Sequence, residues 1–250
     1  MVDATPLVHT TLDDGLARLT LARPDRGNAL GPALVEALDS AIDAAMRAGA
    51  RMIVLRGAGR HFCTGFDLGD LDSLSDGDLA LRVLRIELLL QKIHALPVTT
   101  LAVAQGRVFG AGADLFAVCD HRLAMAGASF AFPGPAFGLV LGTGRLAGLI
   151  GTGAARRLLL AGAPVAAAAA VALGLASAEL SDDAAAEAAI VTAAEAAARL
   201  DPATVAALHG RTRRADDAGD LAALARSVAI PGLRQRIVTY RASLQPQGRT

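Results

Sequence analysis

The sequence predicts an α/β protein in which strands and helices alternate first and helices dominate later. Short apolar runs bounded by glycine or proline alternate with longer stretches whose apolar residues recur every three or four positions. From about Arg145 onward the pattern becomes alanine-rich and helical. Strands that alternate with helices indicate a parallel or mixed sheet with crossover helices.

The early elements follow in a regular order. "GLARLTLARP" alternates around Ala17, Leu19 and Leu21 and predicts a strand, and "GPALVEALDSAIDAAMRAG" predicts a helix that starts near Pro32. The buried stripe of that helix comprises Leu34, Leu38, Ile42 and Met46. "RMIVLRGAG" follows as a short apolar run, which is typical of a strand buried on both faces.

The middle of the chain repeats this alternation. "DLALRVLRIELLLQKIHALP" predicts a second amphipathic helix that ends before Pro97. Its apolar stripe comprises Leu79, Val83, Ile86, Leu90 and Ile93. "VTTLAVAQG" predicts the next strand, and "HRLAMAGASFAFPG" predicts two more short ones.

The last third of the chain predicts helices and loops. Four stretches carry this pattern: "GRLAGLIGTGAARRLLLAG", "PVAAAAAVALGLAS", "SDDAAAEAAIVTAAEAAARLD" and "DLAALARSVAIPGLRQRIVTYRASL". Ser181 and Asp201 are candidate N-caps. Alanine is the best helix former, so the alanine tract favours helix over low-complexity sequence.

Composition and charge exclude several classes of partner. The 250 residues contain 24 basic and 24 acidic side chains in mixed order, so no basic surface for nucleic acid or anionic membranes is expected. No apolar stretch is long and uninterrupted enough for a membrane span. The two cysteines lack CxxC spacing and the first residues lack a signal-peptide pattern, which together predict a soluble cytoplasmic protein.

Two glycine-rich loops, "GAGRHFCTGFDLGDL" and "GRVFGAGADLFAVCD", each follow an apolar strand. A dinucleotide-binding loop would need G-x-G-x-x-G after the first strand, but Leu115 occupies the third glycine position and the motif lies mid-chain. A nucleotide-binding α/β protein is therefore a distant alternative. If neighbouring strands bring the loops together, each can aim one backbone N–H at a common point, which is how an oxyanion hole is made.

These loops, together with "ARPDRGNAL" near the start, strongly resemble the crotonase family of enoyl-CoA hydratases and isomerases, in order and spacing from about Leu16 to about Ala163. The resemblance implies a spiral of β-β-α repeats over residues 1–190. It also implies a helical region over residues 191–250 that builds homotrimers or dimers of trimers. The implied substrate is an acyl-CoA thioester of fatty acid metabolism. No metal and no cofactor beyond the coenzyme A of the substrate are expected.

The resemblance also implies which residues act on the thioester. By position, the two oxyanion donors are the backbone N–H groups of Phe66 and Ala111. Gly65, Gly110 and Gly112 would let the backbone approach the substrate closely. Preorganised donors of this kind stabilise the negative oxygen of an enolate.

The two acid positions of the family differ here. Asp114 stands where hydratases carry the first catalytic glutamate, one methylene shorter. Gly134, in the substrate-binding loop "ASFAFPGPAFGLVLG", stands where the second carboxylate belongs, and no other carboxylate occurs between Asp120 and Glu179. Water addition needs a second acid–base group, so a lyase or isomerase acting through an enolate is expected instead of a plain hydratase. A catalytically weak acyl-CoA-binding member is the alternative.

Four arginines are candidates for the phosphates of coenzyme A. In the family, the loop that contains Arg26 lies against the nucleotide end of the coenzyme. Arg234, Arg236 and Arg241, on the last predicted helix, could reach its 3′-phosphate. Ordinary solvated helix charges are the competing explanation for all four.

Five further residues are expected to be structural. His61 and His94 lie beside a strand and at a helix end, and Cys63 and Cys119 are expected as small buried side chains. Asp67 is expected to cap the helix that follows the first glycine loop.

Overall fold

The computed structural model describes residues 6–213 and 216–243. Its strands are β1 (Val8–Asp13), β2 (Leu16–Leu21), β3 (Met52–Gly57), β4 (Thr99–Ala104), β5 (Arg107–Phe109), β6 (His121–Met125), β7 (Ser129–Ala131), β8 (Val165–Ala166) and β9 (Ala178–Leu180). Its α-helices are α1 (Pro32–Arg47), α2 (Asp76–His94), α3 (Ala111–Ala117), α4 (Thr143–Ile150), α5 (Thr152–Ala161), α6 (Ala167–Ala172), α7 (Asp183–Arg199), α8 (Pro202–Thr212), α9 (Asp217–Val228) and α10 (Leu233–Ser243).

The strands form two sheets within the described residues. The larger has the order β1-β2-β3-β4-β6-β9, and all its pairs are parallel except β1 with β2. The smaller has the order β5-β7-β8. Because β3 and β4 are parallel neighbours, the loops at their carboxyl ends leave the same edge of the sheet. The mixed, parallel-rich sheet with crossover helices is the fold class that the sequence predicted.

The inner strands β3 and β4 of the large sheet are buried on both faces, as the apolar run of β3 predicted. In β3, Ile53 and Leu55 face a core shared with α1 and α2, whereas Met52 and Val54 face a second core that includes Ile190 of α7. This alternation is the period-2 geometry of a strand. The predicted stripe of α1 lies in the first of these cores, with Met46 only partly buried, whereas the stripe of α2 is shared between that core and a third apolar cluster that includes residues of α9 and α10.

The tail contains two short strands that the sequence did not predict. Residues 165–166 and 178–180 were expected to be helix or loop, and the structure corrects this. β9 pairs with β6 through Leu123 and Ala178, and β8 pairs with β7 through Phe130 and Val165. Strands of two and three residues carry no readable periodicity, so pairing with a distant edge strand decides their conformation.

The helix starts of the tail were predicted with mixed success. The Asp201 carboxylate accepts from the N–H groups of Ala203 and Thr204, which confirms it as an N-cap. Ser181 is not the N-cap of α7, because the next residue, Asp182, accepts from the Ala185 N–H at 2.8 Å. The Ser181 hydroxyl instead donates to that carboxylate.

The last two helices pack on the body of the fold. α9 contacts α2 and α4, and α10 contacts α2 and the 3₁₀ turn Gly134–Phe137. The predicted boundary between residues 190 and 191 falls inside α7, and residues 244–250 of the predicted last helical stretch lie outside the described residues. In the described part of the chain, no helix is both long and apolar enough to cross a bilayer.

Candidate active site

The two glycine loops meet at the edge of the large sheet. Phe109 donates its N–H to the carbonyl of Cys63 at 3.0 Å, which ties the loops together. Gly65 has a φ of 99°, and a Cβ built there would lie 2.6 Å from the Phe109 carbonyl oxygen and 3.5 Å from the Ala111 nitrogen. A side chain at this position would therefore push the loops apart, and glycine allows their close approach.

Two backbone N–H groups are left without a protein acceptor where the loops meet. Gly110, with a φ of 52°, donates to Ala131 and starts α3, so that Ala111 supplies the first N–H of the helix. Among the hydrogen bonds of the described residues, neither the Ala111 N–H nor the Phe66 N–H donates to a protein group. Both residues line the same cavity, of about 90 Å³. An acceptor inside the cavity could satisfy them.

The wall of this cavity is mostly apolar. Its polar side chains among the described lining residues are Thr64, Asp114 and Thr143. The remaining wall includes Gly65, Gly110, Val83, Ile86, Phe132, Gly134, Phe137, Leu139, Leu141 and Leu159. This wall can therefore accommodate an apolar group.

Asp114 is the carboxyl group of the cavity. It lies in the first turn of α3 and is 6% exposed. Burial raises its pKa to about 8, the nearby Arg145 guanidinium opposes that rise, and Glu87 and Asp220 add to it. Asp114 therefore holds its proton to a higher pH than an exposed aspartate, in the range where a general acid–base group works near neutral pH.

A buried ion pair behind Asp114 was not predicted from the sequence. Arg145 of α4 makes a two-pronged salt bridge to Glu87 of α2, at 2.7 and 2.5 Å. Gln91 donates to the same carboxylate at 2.7 Å, and Asp220 of α9 lies 3.4 Å from the guanidinium. The signal that could have shown this pair is Glu87 itself, since a carboxylate beside Ile86 interrupts the apolar stripe of α2.

Gly134, where the resemblance led us to expect a second carboxylate, lies in the wall of the cavity. It begins the 3₁₀ turn Gly134–Phe137 after β7 and lines the cavity. A Cβ built there would have its nearest neighbours, the carbonyl oxygen and Cβ of Leu139, at 3.6 and 3.7 Å, which is ordinary contact. The cavity thus has room for a side chain at a position where the chain has none.

Gly112 and Arg26, expected to bind substrate, do not line the cavity. A Cβ on Gly112 would lie 2.3 Å from the Cys63 carbonyl oxygen, so this glycine permits packing between the loops. The Arg26 side chain is 57% exposed, and its nearest carboxylate is Asp25 at 4.0 Å. The structure gives Gly112 a packing position and leaves Arg26 on the surface.

The arginines of α10 have protein partners or lie exposed. Arg234 donates to the carbonyls of Leu71 and Asp72. Arg236 donates to four carbonyls, those of Phe137, Ile230, Pro231 and Ser227. These bonds fasten α10 to the loops around the cavity, and Arg241 lies exposed on the same helix.

The histidines and cysteines expected to be structural lie in structural contacts. His61 accepts from the Arg107 N–H, His94 lies beside Arg213, and neither lines the cavity. Cys63 and Cys119 are buried, which raises their pKa values, that of Cys63 to about 12.

Asp67 does not cap a helix, contrary to the prediction. Its carboxylate accepts from the Gly69 N–H and pairs with Arg23 at 3.0 Å. α2 begins later, where Ser75 and Asp78 form a capping box. A 3₁₀ turn, Leu71–Ser73, lies between Asp67 and the helix.

Within the described residues, no group of three or more histidine, cysteine, aspartate or glutamate side chains is placed to hold a metal ion.

The sheet order and the paired glycine loops define the fold of the enoyl-CoA hydratases. An enoyl-CoA hydratase structure from Bacillus halodurans superposes with a TM-score of 0.83 over 93% of this chain and 99% of that one, at 21% identity. A Bordetella parapertussis structure assigned to the enoyl-CoA hydratases/isomerases superposes with a TM-score of 0.93, at 45% identity, over 97% of this chain and all of that one.

Sequence comparison places the chain in one family. The profile of the enoyl-CoA hydratase/isomerase family matches residues 11–225, and the chain belongs to this family. A probable enoyl-CoA hydratase of Mycobacterium leprae is 34% identical over 162 residues, which are 62% of this chain and 63% of the relative. The chain therefore matches somewhat less than two thirds of that curated relative's length.

Proposed function

We propose that the protein is an enzyme that binds acyl-CoA thioesters and stabilises a thioester enolate. The observation that carries this proposal is the pair of backbone N–H groups, of Phe66 and Ala111, which lack protein acceptors and line one apolar cavity. A thioester carbonyl oxygen between them would gain negative charge when the enolate forms. Each such donor contributes about 10²–10³ in rate when it is removed singly.

Asp114 is the group proposed to move the proton. It is the carboxyl side chain among the described residues that line the cavity. One group that takes a proton from one carbon and returns it to another suffices for isomerisation or α-proton exchange. Hydration needs a second group to activate water, and Gly134 supplies none. The proposal therefore favours isomerisation or another enolate reaction over water addition.

The substrate class follows from the lining of the cavity. Apart from Asp114 and two threonines, the side chains that line the cavity among the described residues are aliphatic or aromatic. Such a wall excludes a charged acyl group and accommodates an apolar one. The coenzyme A portion is part of the substrate, and the proposed chemistry needs no further cofactor.

The experiment that tests this function is deuterium exchange at the α-carbon of a bound saturated acyl-CoA in heavy water, followed by mass spectrometry. The unaltered protein is expected to exchange this hydrogen, with little hydration of a short enoyl-CoA. Asp114→Asn keeps the shape and removes the base, and should slow exchange about 10²-fold or more. Undiminished exchange in this variant would remove Asp114 from the mechanism.

A catalytically weak acyl-CoA-binding protein is the second candidate, and the missing side chain at Gly134 favours it. Calorimetry separates the two candidates. Binding of acyl-CoA at micromolar concentration without exchange would support the binding protein. Failure to bind several acyl-CoAs would overturn both.

The assembly proposed for the protein is a homotrimer or a dimer of trimers. Closed symmetric assemblies of this kind are common among soluble homo-oligomers. Large apolar side chains are exposed on helices at Leu88, Leu160 and Leu208, and between helices at Leu200 and Ile230. Light scattering should give three or six times the mass of one chain, and a monomer at micromolar concentration would contradict the proposal.

A further inference from the structure

A fully buried carboxylate lies behind the cavity, on the apolar face of α2. Glu87 is 0% exposed and has Ile86 and Leu90 of the core as neighbours on its helix. A charge in such a place is costly unless it is paired and hydrogen-bonded. Glu87 meets this condition through Arg145 and Gln91, so a charged network is maintained where an apolar residue would pack at lower cost.

The network reaches Asp114 at the junction of α3 and α4. Gly142, just before α4, has a φ of 60°, and a Cβ built there would lie 2.5 Å from Asp114 Oδ1 and 3.7 Å from Arg145 Nη2. The carboxyl and the guanidinium thus approach the same point from two helices. Glycine at residue 142 leaves this space to the polar groups.

Arg145 nevertheless makes its hydrogen bonds to Glu87 and not to Asp114. Both terminal nitrogens of the guanidinium, Nη1 and Nη2, bond to Glu87. Asp220 lies 3.4 Å from Nη1 and is itself held by the Gly144 N–H at 3.0 Å. The charged groups that face Asp114 are therefore Glu87 from α2, Arg145 from α4 and Asp220 from α9.

We propose that Glu87 and Arg145 are positioning residues for Asp114: Glu87 retains the guanidinium in a two-pronged salt bridge, so that Asp114 is not drawn into an ion pair with Arg145 and stays free to face the substrate. This inference rests on the proposed function of Asp114 as the proton carrier. The buried Glu87 and the partly exposed Asp220 both lie beside the buried Arg145 guanidinium and offset its positive charge. Burial is the main cause of the raised pKa of Asp114, Arg145 opposes the rise, and Glu87 and Asp220 add to it.

The test uses Glu87→Gln, which keeps the size of the side chain and an acceptor oxygen for Arg145. With one negative charge gone, the guanidinium favours ionised Asp114, so the pH midpoint of α-proton exchange should fall by about one unit or more. Exchange at pH 6 should then rise about tenfold. A role confined to packing would lower the rate without moving the midpoint.

Asp220→Asn provides a second variant if Glu87→Gln does not fold. Asparagine can still accept from the Gly144 N–H, and the midpoint should move in the same direction by a smaller amount. The matched control is Asp70→Asn, which removes a carboxylate bonded to Arg82 of α2 at 2.8 and 2.7 Å, away from the cavity. Its midpoint should equal that of the unaltered protein.

A measurement independent of turnover completes the test. The ¹³C carboxyl resonance of Asp114, identified by its loss in Asp114→Asn, should titrate at lower pH in Glu87→Gln. An unmoved or raised titration midpoint in both network variants would overturn this inference. Absence of any exchange in the unaltered protein would overturn the proposed function, and the carboxyl titration would still judge the role of Glu87 and Arg145.

Discussion

The two acid positions around the cavity differ in how tightly the fold surrounds them. Asp114 is buried, and three charged groups on three other helices face it. Gly134 begins a 3₁₀ turn that lines the same cavity, and a Cβ built there would make only ordinary contacts. The packing of distant helices assembles charged groups around Asp114, whereas the space beside Gly134 is open to a side chain.

The glycines of the site show the same difference. A Cβ on Gly112 would lie 2.3 Å from a backbone oxygen of Cys63, a distance at which one loop must move. A Cβ on Gly134 would lie no closer than 3.6 Å to any neighbour. Glycine is therefore required by packing at residue 112 and is merely permitted at residue 134.

The largest effect is expected from exchanging these two glycines for alanine. Gly112→Ala should lower the free energy of unfolding by about 3 kcal/mol, because backbone atoms cannot yield as a flexible side chain can. Gly134→Ala should change it by about 1 kcal/mol or less. Urea denaturation followed by circular dichroism measures both, and equal losses in the two variants would contradict the comparison.

An effect that grows with pH is expected from Asp114→Asn. The pKa of Asp114 is raised to about 8 in the folded protein, so the unfolded chain ionises first as the pH rises. The unaltered protein should lose stability relative to the variant between about pH 4 and pH 8, by at most about 1.4 kcal/mol per pH unit, and the difference should level off above that range.

Thermal unfolding of the two proteins at several pH values would measure this difference. A constant difference between pH 4 and pH 8 would show that Asp114 is not held in its neutral form. Asp70→Asn is the control at an exposed carboxylate. The Arg82 guanidinium lowers the pKa of Asp70, so the stability of this variant relative to the unaltered protein should not rise between pH 4 and pH 8.

The smallest effect is expected from restoring a carboxylate at the open position. Gly134→Glu has room for its first atoms and should raise hydration of a short enoyl-CoA about tenfold, below the full value of a positioned acid–base group. Gly134→Gln is the matched control, because it has the same size and no base. Equal hydration rates in these two variants would show that the open position cannot take up the role of a second acid.

Local sequence patterns predicted most of the fold. The stripe from Leu34 to Ile42 and the alternation of Ala17, Leu19 and Leu21 specify which face of α1 and β2 is buried, because burial follows the period of each element. The alanine-rich tail gave no such signal for β9, since a three-residue strand is defined by its partner β6. Asp67 was wrongly predicted as a cap because a 3₁₀ turn separates it from α2, which Ser75 caps. Ser181 was wrongly predicted because its neighbour Asp182 caps α7.

The sequence by itself determined the α/β order, the two glycine loops and the presence of Asp114 with glycine at residue 134. These features are local, and each follows from a short run of residues. Tertiary structure decided that Phe66 and Ala111 line one cavity, and that Glu87, Arg145 and Asp220 lie near Asp114. Those residues are far apart in the chain, and the proton affinity of a buried carboxyl depends on the charges and solvent that the folded helices place around it.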